Sequence, residues 1–330
     1  MGESLRTRER KFSNFKLREL GVLIALIAIT LVFTFVTKNF FGVENFLNIF
    51  RQVSLLGVMA VGMTLVIVSG EFDLSVGAVS GLAACIAGVL MINGMSVWLA
   101  FILGLAAGTL FGVLNGVLVT YGKIPALIVT LGTLNVARGL ALITVRGFPI
   151  SISERYVKDP QLRNFIFMGQ GQLFGKIPML ITFLVVAFII GYIILNKNVF
   201  GYHLRAVGGN ASAARASGID VYKTKIIAFA SCGFLAGLAG ILNLSFLSNI
   251  QGTAGTGLEL NVIAAVIIGG TSLSGGSGTM IGTFIGVLIM GVLKNGLVLL
   301  QVNTFWQTLI IGVVIIGAVA VDIWTRRRSV

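Results

Sequence analysis

Charge is scarce in this chain. Asp, Glu, Lys and Arg make up 11% of its 330 residues, where a soluble domain carries roughly 25%. Histidine occurs once, at His203, and cysteine twice, at Cys85 and Cys232. A lone His with no suitable neighbours gives no Ser/His/Asp triad and no zinc set. Two cysteines inside apolar runs give no disulfide framework, and read as small buried hydrophobes. No Gly-x-x-x-x-Gly-Lys-Ser/Thr stretch occurs, so the chain has no P-loop for ATP. The Gly/Ser-rich turn Gly269–Gly278 lacks the Lys of such a loop. No catalytic residue, cofactor or metal is expected. The first eighteen residues are too charged for a cleavable signal peptide, and no small-residue cleavage site follows the first apolar run.

Apolar residues are abundant instead, at 56%, with 43 glycines and a mean hydropathy of +1.01. So much apolar surface points to a polytopic protein of the lipid bilayer. In lipid, small residues let helices approach closely, which accounts for the glycine content. The net charge of +13 would suit nucleic acid, but its distribution argues against that partner. Arg6, Arg8, Arg10, Lys11, Lys16 and Arg18 precede the first apolar run, and Arg326, Arg327 and Arg328 follow the last. Basic residues flanking spans mark the cytoplasmic side.

A span needs about 20 apolar residues. On that ruler the chain is an all-α membrane protein of about ten transmembrane helices. Spans are expected near Leu20–Val36, Ile49–Ser69, Leu74–Ile92, Val97–Thr120, Ile124–Val145, Ile177–Leu195, Ile226–Leu247, Leu258–Thr271, Thr279–Leu300 and Phe305–Ile323. The eighth is short, and reads as tilted, broken or re-entrant. The domain plan is then a cytoplasmic basic tail (1–19), a first membrane half (20–195), a cytoplasmic loop (196–225), a second half (226–323) and a basic tail (324–330). Both termini face the cytoplasm of a plasma or inner membrane, with fifteen Lys/Arg inside against seven outside. The outside seven include Arg155, Arg163 and Lys158, in the external segment 146–176. That segment is too small for an enzyme domain, and reads as a docking surface or a linker.

Gly108–Leu118 and Gly278–Leu288 both read GTxxGxxxGVL. They fall in spans 4 and 9 and would run in opposite directions, as in an inverted-topology repeat with a solute path at its interface. Chance recurrence of GxxxG in glycine-rich helices is the bland alternative.

Few polar residues lie inside the apolar runs. Glu71 and Asp73, bracketed by Gly70 and Gly77, suggest a tight break before span 3. Asp73 and Ser75 suit N-caps. Alternatively Asp73 lies on the solute path or pairs with Arg138 in span 5, since an unpaired charge at that depth is costly; Arg138 can also snorkel outward. Glu259 suits the positive end of span 8. Asn115, Asn135, Asn261 and Asn295 either bind neighbouring helices or meet the hydroxyls of a sugar. Asp73, Asn115, Arg138, Glu259 and Asn295 are the candidate path residues.

The central loop holds GGNASAARASGI (Gly208–Ile219). Ala213–Ala216 favours a short helix, and Gly218 suits its stop. Small side chains would let this helix lie in a partner's groove.

Four segments carry a resemblance: GEFDLSVG (Gly70–Gly77), IPALIVTLGTLNVARGLAL (Ile124–Leu142), GGNASAARASGI, and TAGTGLELNVIAAVIIGGTSLSGGSGT (Thr253–Thr279). They resemble the membrane permease of ribose-type ABC importers, in the broader family that includes branched-chain amino acid permeases. The resemblance covers nearly the whole chain. It implies a type II-like importer permease, not an enzyme, that moves a monosaccharide. It also implies a second permease copy, a cytoplasmic ATP-binding subunit and an extracytoplasmic sugar-binding protein. The coupling residues it implies are Gly208, Gly209, Asn210, Ala213, Ala214, Ser217 and Gly218. Permeases for another sugar, a sugar derivative or a nucleoside, and an ion-coupled secondary transporter, are the alternatives.

Overall fold

The computed structural model describes residues 2–38, 40–152 and 159–327. Arg155, Lys158 and Arg328 lie outside the described residues. The chain is mostly helical. The long helices are α1 (Gly2–Val36), α2 (Val43–Val68), α3 (Val76–Ile92), α4 (Val97–Thr120) and α5 (Ala126–Thr144). A short α6 (Pro160–Gln170) precedes α7 (Met179–Lys197), α8 (Val199–Gly209) and α9 (Ala211–Ala216). The remainder is α10 (Val221–Leu247), α11 (Leu258–Ile268), α12 (Met280–Leu299) and α13 (Thr304–Arg327). Two-residue strands β1 (Ile150–Ser151) and β4 (Asn249–Ile250) pair antiparallel, as do β2 (Gln172–Leu173) and β3 (Ile177–Pro178).

Seven helices are long and apolar enough to cross a membrane: those within α1, α2, α4, α5, α7, α10 and α12. Val76–Ile92, Leu258–Ile268 and Thr304–Val314 are apolar but shorter. Large apolar side chains such as Leu20, Ile24, Phe35, Ile143 and Ile316 stand exposed around the outside. In water so broad an apolar surface would aggregate; here it is the face for lipid.

Local sequence explains where helices start. Pro125 and Pro178 stand at the N-caps of α5 and α7, where the fixed proline φ suits entry to a helix. Asp159 accepts from the Gln161 amide at 2.8 Å ahead of Pro160 and starts α6. Asn198, Asp220 and Thr279 cap α8, α10 and α12 in the same way. The described part of segment 146–176 is therefore structured rather than an open loop. Ser245 donates its hydroxyl to the Phe165 carbonyl at 2.6 Å, and Gln170 donates to the Phe246 carbonyl at 2.9 Å. These bonds lay α6 on the end of α10.

The core is built on α2, α3 and α10. Most of the apolar stretch of α2 is buried, at 78%, against 6% for that of α1, which places α1 at the rim. Glycine sets the tightest contact. Gly108, Gly112 and Gly116 of α4 lie on the backbone of α10 at Gly233, Phe229 and Ile226. A Cβ at Gly112 would strike the Phe229 carbonyl. The GxxxG spacing of the first repeat copy is thus a packing seam. In the second copy, Gly282 and Gly286 lie against Gly269 and Ala265 at the end of α11.

Candidate functional site

Two of the inner helices are interrupted. The chain leaves α2 at Val68, turns at Gly70 (φ +87°) and runs non-helically to Ser75 before α3 begins. The second break follows α10. Ile250 lies against Gly88 near the far end of α3, Ala254 against Gly81, and Gly255 against Gly77. The segment 249–257 therefore runs back along α3, and α11 begins beside the first turn of α3. A Cβ at Gly77 would collide with the Gly255 carbonyl and the Glu259 carboxylate. Glycine is needed there for two helix N-termini to meet.

Non-helical backbone within a membrane protein is tolerated when its polar groups find partners inside the protein. Each break has its own. At the first, Asp73 Oδ1 accepts from the Ser75 amide at 2.8 Å and from the Ser75 hydroxyl at 2.6 Å. Asn115 of α4 donates to the Ser75 hydroxyl at 2.9 Å and makes longer contacts of 3.4 and 3.5 Å with the carboxylate. All three side chains are buried. At the second break, Arg138 of α5 donates to the carbonyl of Gly252 at 2.9 Å and to that of Ala254. The Cys85 thiol reaches the Gln251 carbonyl at 3.7 Å.

Four of the five candidate path residues thus gather at the breaks. Asp73 and Asn115 close the first. Arg138 and Glu259 border the second, where Glu259 Oε1 accepts from the Gly257 amide at 3.1 Å, as its place at a helix start suggests. The Asp73–Arg138 pair is not formed. Arg138 is drawn instead to two carbonyls that α10 and α11 leave unpaired. Asn295 stands apart, buried in α12. Asn115 Oδ1, Asn295 Oδ1 and Glu259 Oε2 are buried without a hydrogen-bond partner.

The central loop is a helix pair. Asn210 stands between α8 and α9; its Oδ1 accepts from the Ala213 amide at 3.0 Å and the Ser212 hydroxyl at 2.7 Å. Ala214 is buried in a small cluster with Val207 and Val221. Ala213, Ser217 and Gly218 are exposed, and Gly218 ends α9 with φ +82°. Arg205 ties α8 to the end of α7, donating to the Leu195 carbonyl at 2.9 Å and to Asn196 Oδ1 at 2.7 Å. Burial holds its guanidinium below its ordinary pKa, partly offset by Tyr202.

Gly208 is the junction. A Cβ there would meet the Val68 carbonyl, the Ser69 carbon and the Gly276 amide. The same Val68 carbonyl accepts from the Gly276 amide at 2.9 Å. Gly275 and Gly276, both at positive φ, lie on Gly70, Gly208 and Gly209. Glu71 pairs with Lys225 at the start of α10. The helix pair therefore sits by bare backbone on the turn before α3 and on the turn after α11. Sequence reading marked the 208–219 and 269–278 stretches but not their contact, which no local pattern encodes.

An outer girdle for lipid, interrupted helices meeting at the centre and a helix pair bearing on the first break and on the turn after α11 define a membrane permease. The chain belongs to the family described as branched-chain amino acid transport system / permease component, which matches residues 45–319. The resemblance drawn from the four sequence segments holds. The ribose import permease protein RbsC of Escherichia coli K12 is 40% identical over 267 residues, covering 81% of this chain and 82% of that protein. RbsC of Bacillus subtilis 168 is 40% identical over 276 residues, 83% of each. The L-arabinose ABC transporter permease protein AraH of Azospirillum brasilense is 36% identical over 256 residues, 78% of this chain and 73% of that protein. No solved structure matches the chain.

Proposed function

We propose that this chain is the permease subunit of an ABC importer that carries a pentose, ribose or a sugar close to it, across the inner membrane. The observation that carries this reading is the 40% identity, over four-fifths of both chains, to ribose import permeases from two distant bacteria. The arabinose permease among the relatives supports the pentose class. In this reading α9 seats in a cytoplasmic ATP-binding subunit through Ala213, Ser217 and Gly218. An extracytoplasmic sugar-binding protein docks on the outer face, which includes α6, and a second copy of the chain completes the pore.

Ten helices cross or enter the bilayer in this proposal, with both termini in the cytoplasm. Packing supports an inverted repeat of α2–α5 on α10–α13. The neighbours α4/α10, α3/α4, α3/α10 and α3/α5 have counterparts α12/α2, α11/α12, α11/α2 and α11/α13. The permease supplies no covalent chemistry. It supplies two conformations whose energies ATP and the sugar-loaded binding protein bias differently. The first break is the part that changes, because the driven helix pair bears on its Gly70 turn and, through Gly275 and Gly276, on the turn after α11.

Reconstitution tests this. Proteoliposomes holding the chain and its ATP-binding subunit should take up ribose only with ATP and the binding protein. Uptake by the chain alone under an ion gradient would make it a secondary transporter and end the proposal.

A further inference from the structure

A cavity of about 180 Å³ lies against the second break, between α2, α3, α10 and the start of α11. It is smaller than the roughly 300–1,000 Å³ of pockets for drug-sized ligands. Its floor is Ser80, Gly255 and Leu258, where the two helix N-termini meet. Its polar side chains include two amides, Gln52 of α2 and Asn243 of α10. Gln52 is exposed and Asn243 partly exposed, and neither makes a hydrogen bond with the described residues. Ser80 donates its hydroxyl to the Gly77 carbonyl at 2.7 Å, so its oxygen is left to accept. No Lys, Arg, Asp or Glu lines the cavity.

We infer that this cavity is a solute site for a neutral polyhydroxylated molecule, with Gln52 and Asn243 reading its hydroxyls. The inference rests on the sugar-permease reading and locates that function. An amide offers donors and an acceptor together, which matches hydroxyls that do both. The lining suits a sugar better than a zwitterionic amino acid, whose ammonium and carboxylate would find no opposite charge. The helix N-terminus at Leu258 would otherwise favour an anion, but Glu259 lies in its first turn and offsets that field. The cavity lies beside the break that Arg138 holds, so a change there reshapes the site. Asp73 and Asn115 line no part of it. Their position suits holding the first break rather than touching the solute.

The test separates this inference from the reading beneath it. Gln52→Leu and Asn243→Leu are made in the complex with the ATP-binding subunit and binding protein. Ribose uptake in proteoliposomes should fall at least tenfold, while ATP hydrolysis stimulated by the binding protein stays within twofold of the parent. Because Cys85 and Cys232 are buried, Gln52→Cys and Asn243→Cys also give a second readout. A water-soluble thiol reagent should label both, several-fold more slowly when ribose-loaded binding protein is present. Unchanged uptake in both leucine variants, or labelling indifferent to ribose, overturns the site and leaves the importer intact. A parent complex that imports no ribose with ATP overturns the underlying reading, and this inference with it.

Discussion

Gly208 and Gly209 are adjacent, yet the structure gives them opposite tolerance. A methyl at Gly208 meets the Val68 carbonyl, the Ser69 carbon and the Gly276 amide. All three are backbone, and none can swing aside as a side chain would. A methyl at Gly209 meets nothing within 4 Å, and neither glycine has a positive φ. Overpacking of this kind costs about 1–3 kcal/mol. Opening the Gly276–Val68 hydrogen bond adds about 1 kcal/mol, because water at this face can re-pair the groups. Gly208→Ala should therefore displace α8 from the two turns at a cost of about 2–4 kcal/mol. Gly209→Ala should stay within about 0.5 kcal/mol, helped by the better helix propensity of alanine. The assay is ATP-driven ribose uptake beside ATP hydrolysis in the same proteoliposomes. Since each 1.4 kcal/mol is about tenfold, Gly208→Ala should lower uptake per ATP by tenfold or more. The ATP-binding subunit should still co-purify, because Ala213 and Ser217 remain exposed. An equal effect from Gly209→Ala, or normal uptake by Gly208→Ala, would refute the backbone junction.

Three further outcomes follow from the packing. Arg138→Ala leaves the Gly252 and Ala254 carbonyls unpaired, which should cost about 2–4 kcal/mol; hydrogen exchange across 249–257 should quicken, and Arg138→Lys should recover part of the protection. Glu71→Lys or Lys225→Glu alone should destabilise by about 1–2 kcal/mol, between exposed and buried pairs, and the double swap should melt near the parent in detergent. Gly112→Val drives a side chain into the Phe229 carbonyl and the Ala230 Cα and should lower stability by about 2–4 kcal/mol; Gly132→Ala, with nothing near it, should leave the melting point unchanged.

Hydropathy located the membrane helices well, because length and apolarity are local properties. Each expected span coincides with a helix, seven of them long and apolar enough to cross a membrane, and the short eighth one is the eleven-residue α11. Gly70 and Gly77 likewise marked the first break. Long-range choices were less legible. Arg138 carried a clear signal, a charge inside an apolar run, but not the identity of its partner. Asp73 looked like the natural counter-ion, whereas the unpaired carbonyls of an unwound segment are acceptors that no side-chain inventory shows. Asn243 sits between leucines, and Asn295 sits between Lys294 and Gly296 in an otherwise apolar helix. Only the fold shows that one faces a cavity and the other the packed interior. The helix α8 was hidden for another reason: its eleven residues are amphipathic and partly buried against α7 and α10, so they lack the apolar run of a span.

If the chain works as proposed, the arrangement constrains how force would reach the solute path. A pull on α9 alone would only bend an exposed six-residue helix. It becomes useful because α8 is anchored at both ends: to α7 through Arg205, and to the first break and the turn after α11 through Gly208. The first break is stiff. The Asp73 carboxylate, the Ser75 amide and hydroxyl and the Asn115 side-chain nitrogen bond to one another, all buried, so displacement of the Gly70 turn moves the first turn of α3 as a body. The second break is held differently: Arg138 takes the Gly252 and Ala254 carbonyls, turn bonds inside the segment take those of Gln251, Thr253 and Gly255, and two of its glycines take positive φ. Motion of the first turn of α3 reaches it where the first turns of α3 and α11 touch. A path that opens there needs only those two N-termini to part. Glu259 and Arg138 are the charges beside that contact: a Cβ at Gly77 would meet the Glu259 carboxylate, and one at Gly81 would lie 3.5 Å from an Arg138 nitrogen, so parting the two N-termini must keep both charges partnered inside the protein.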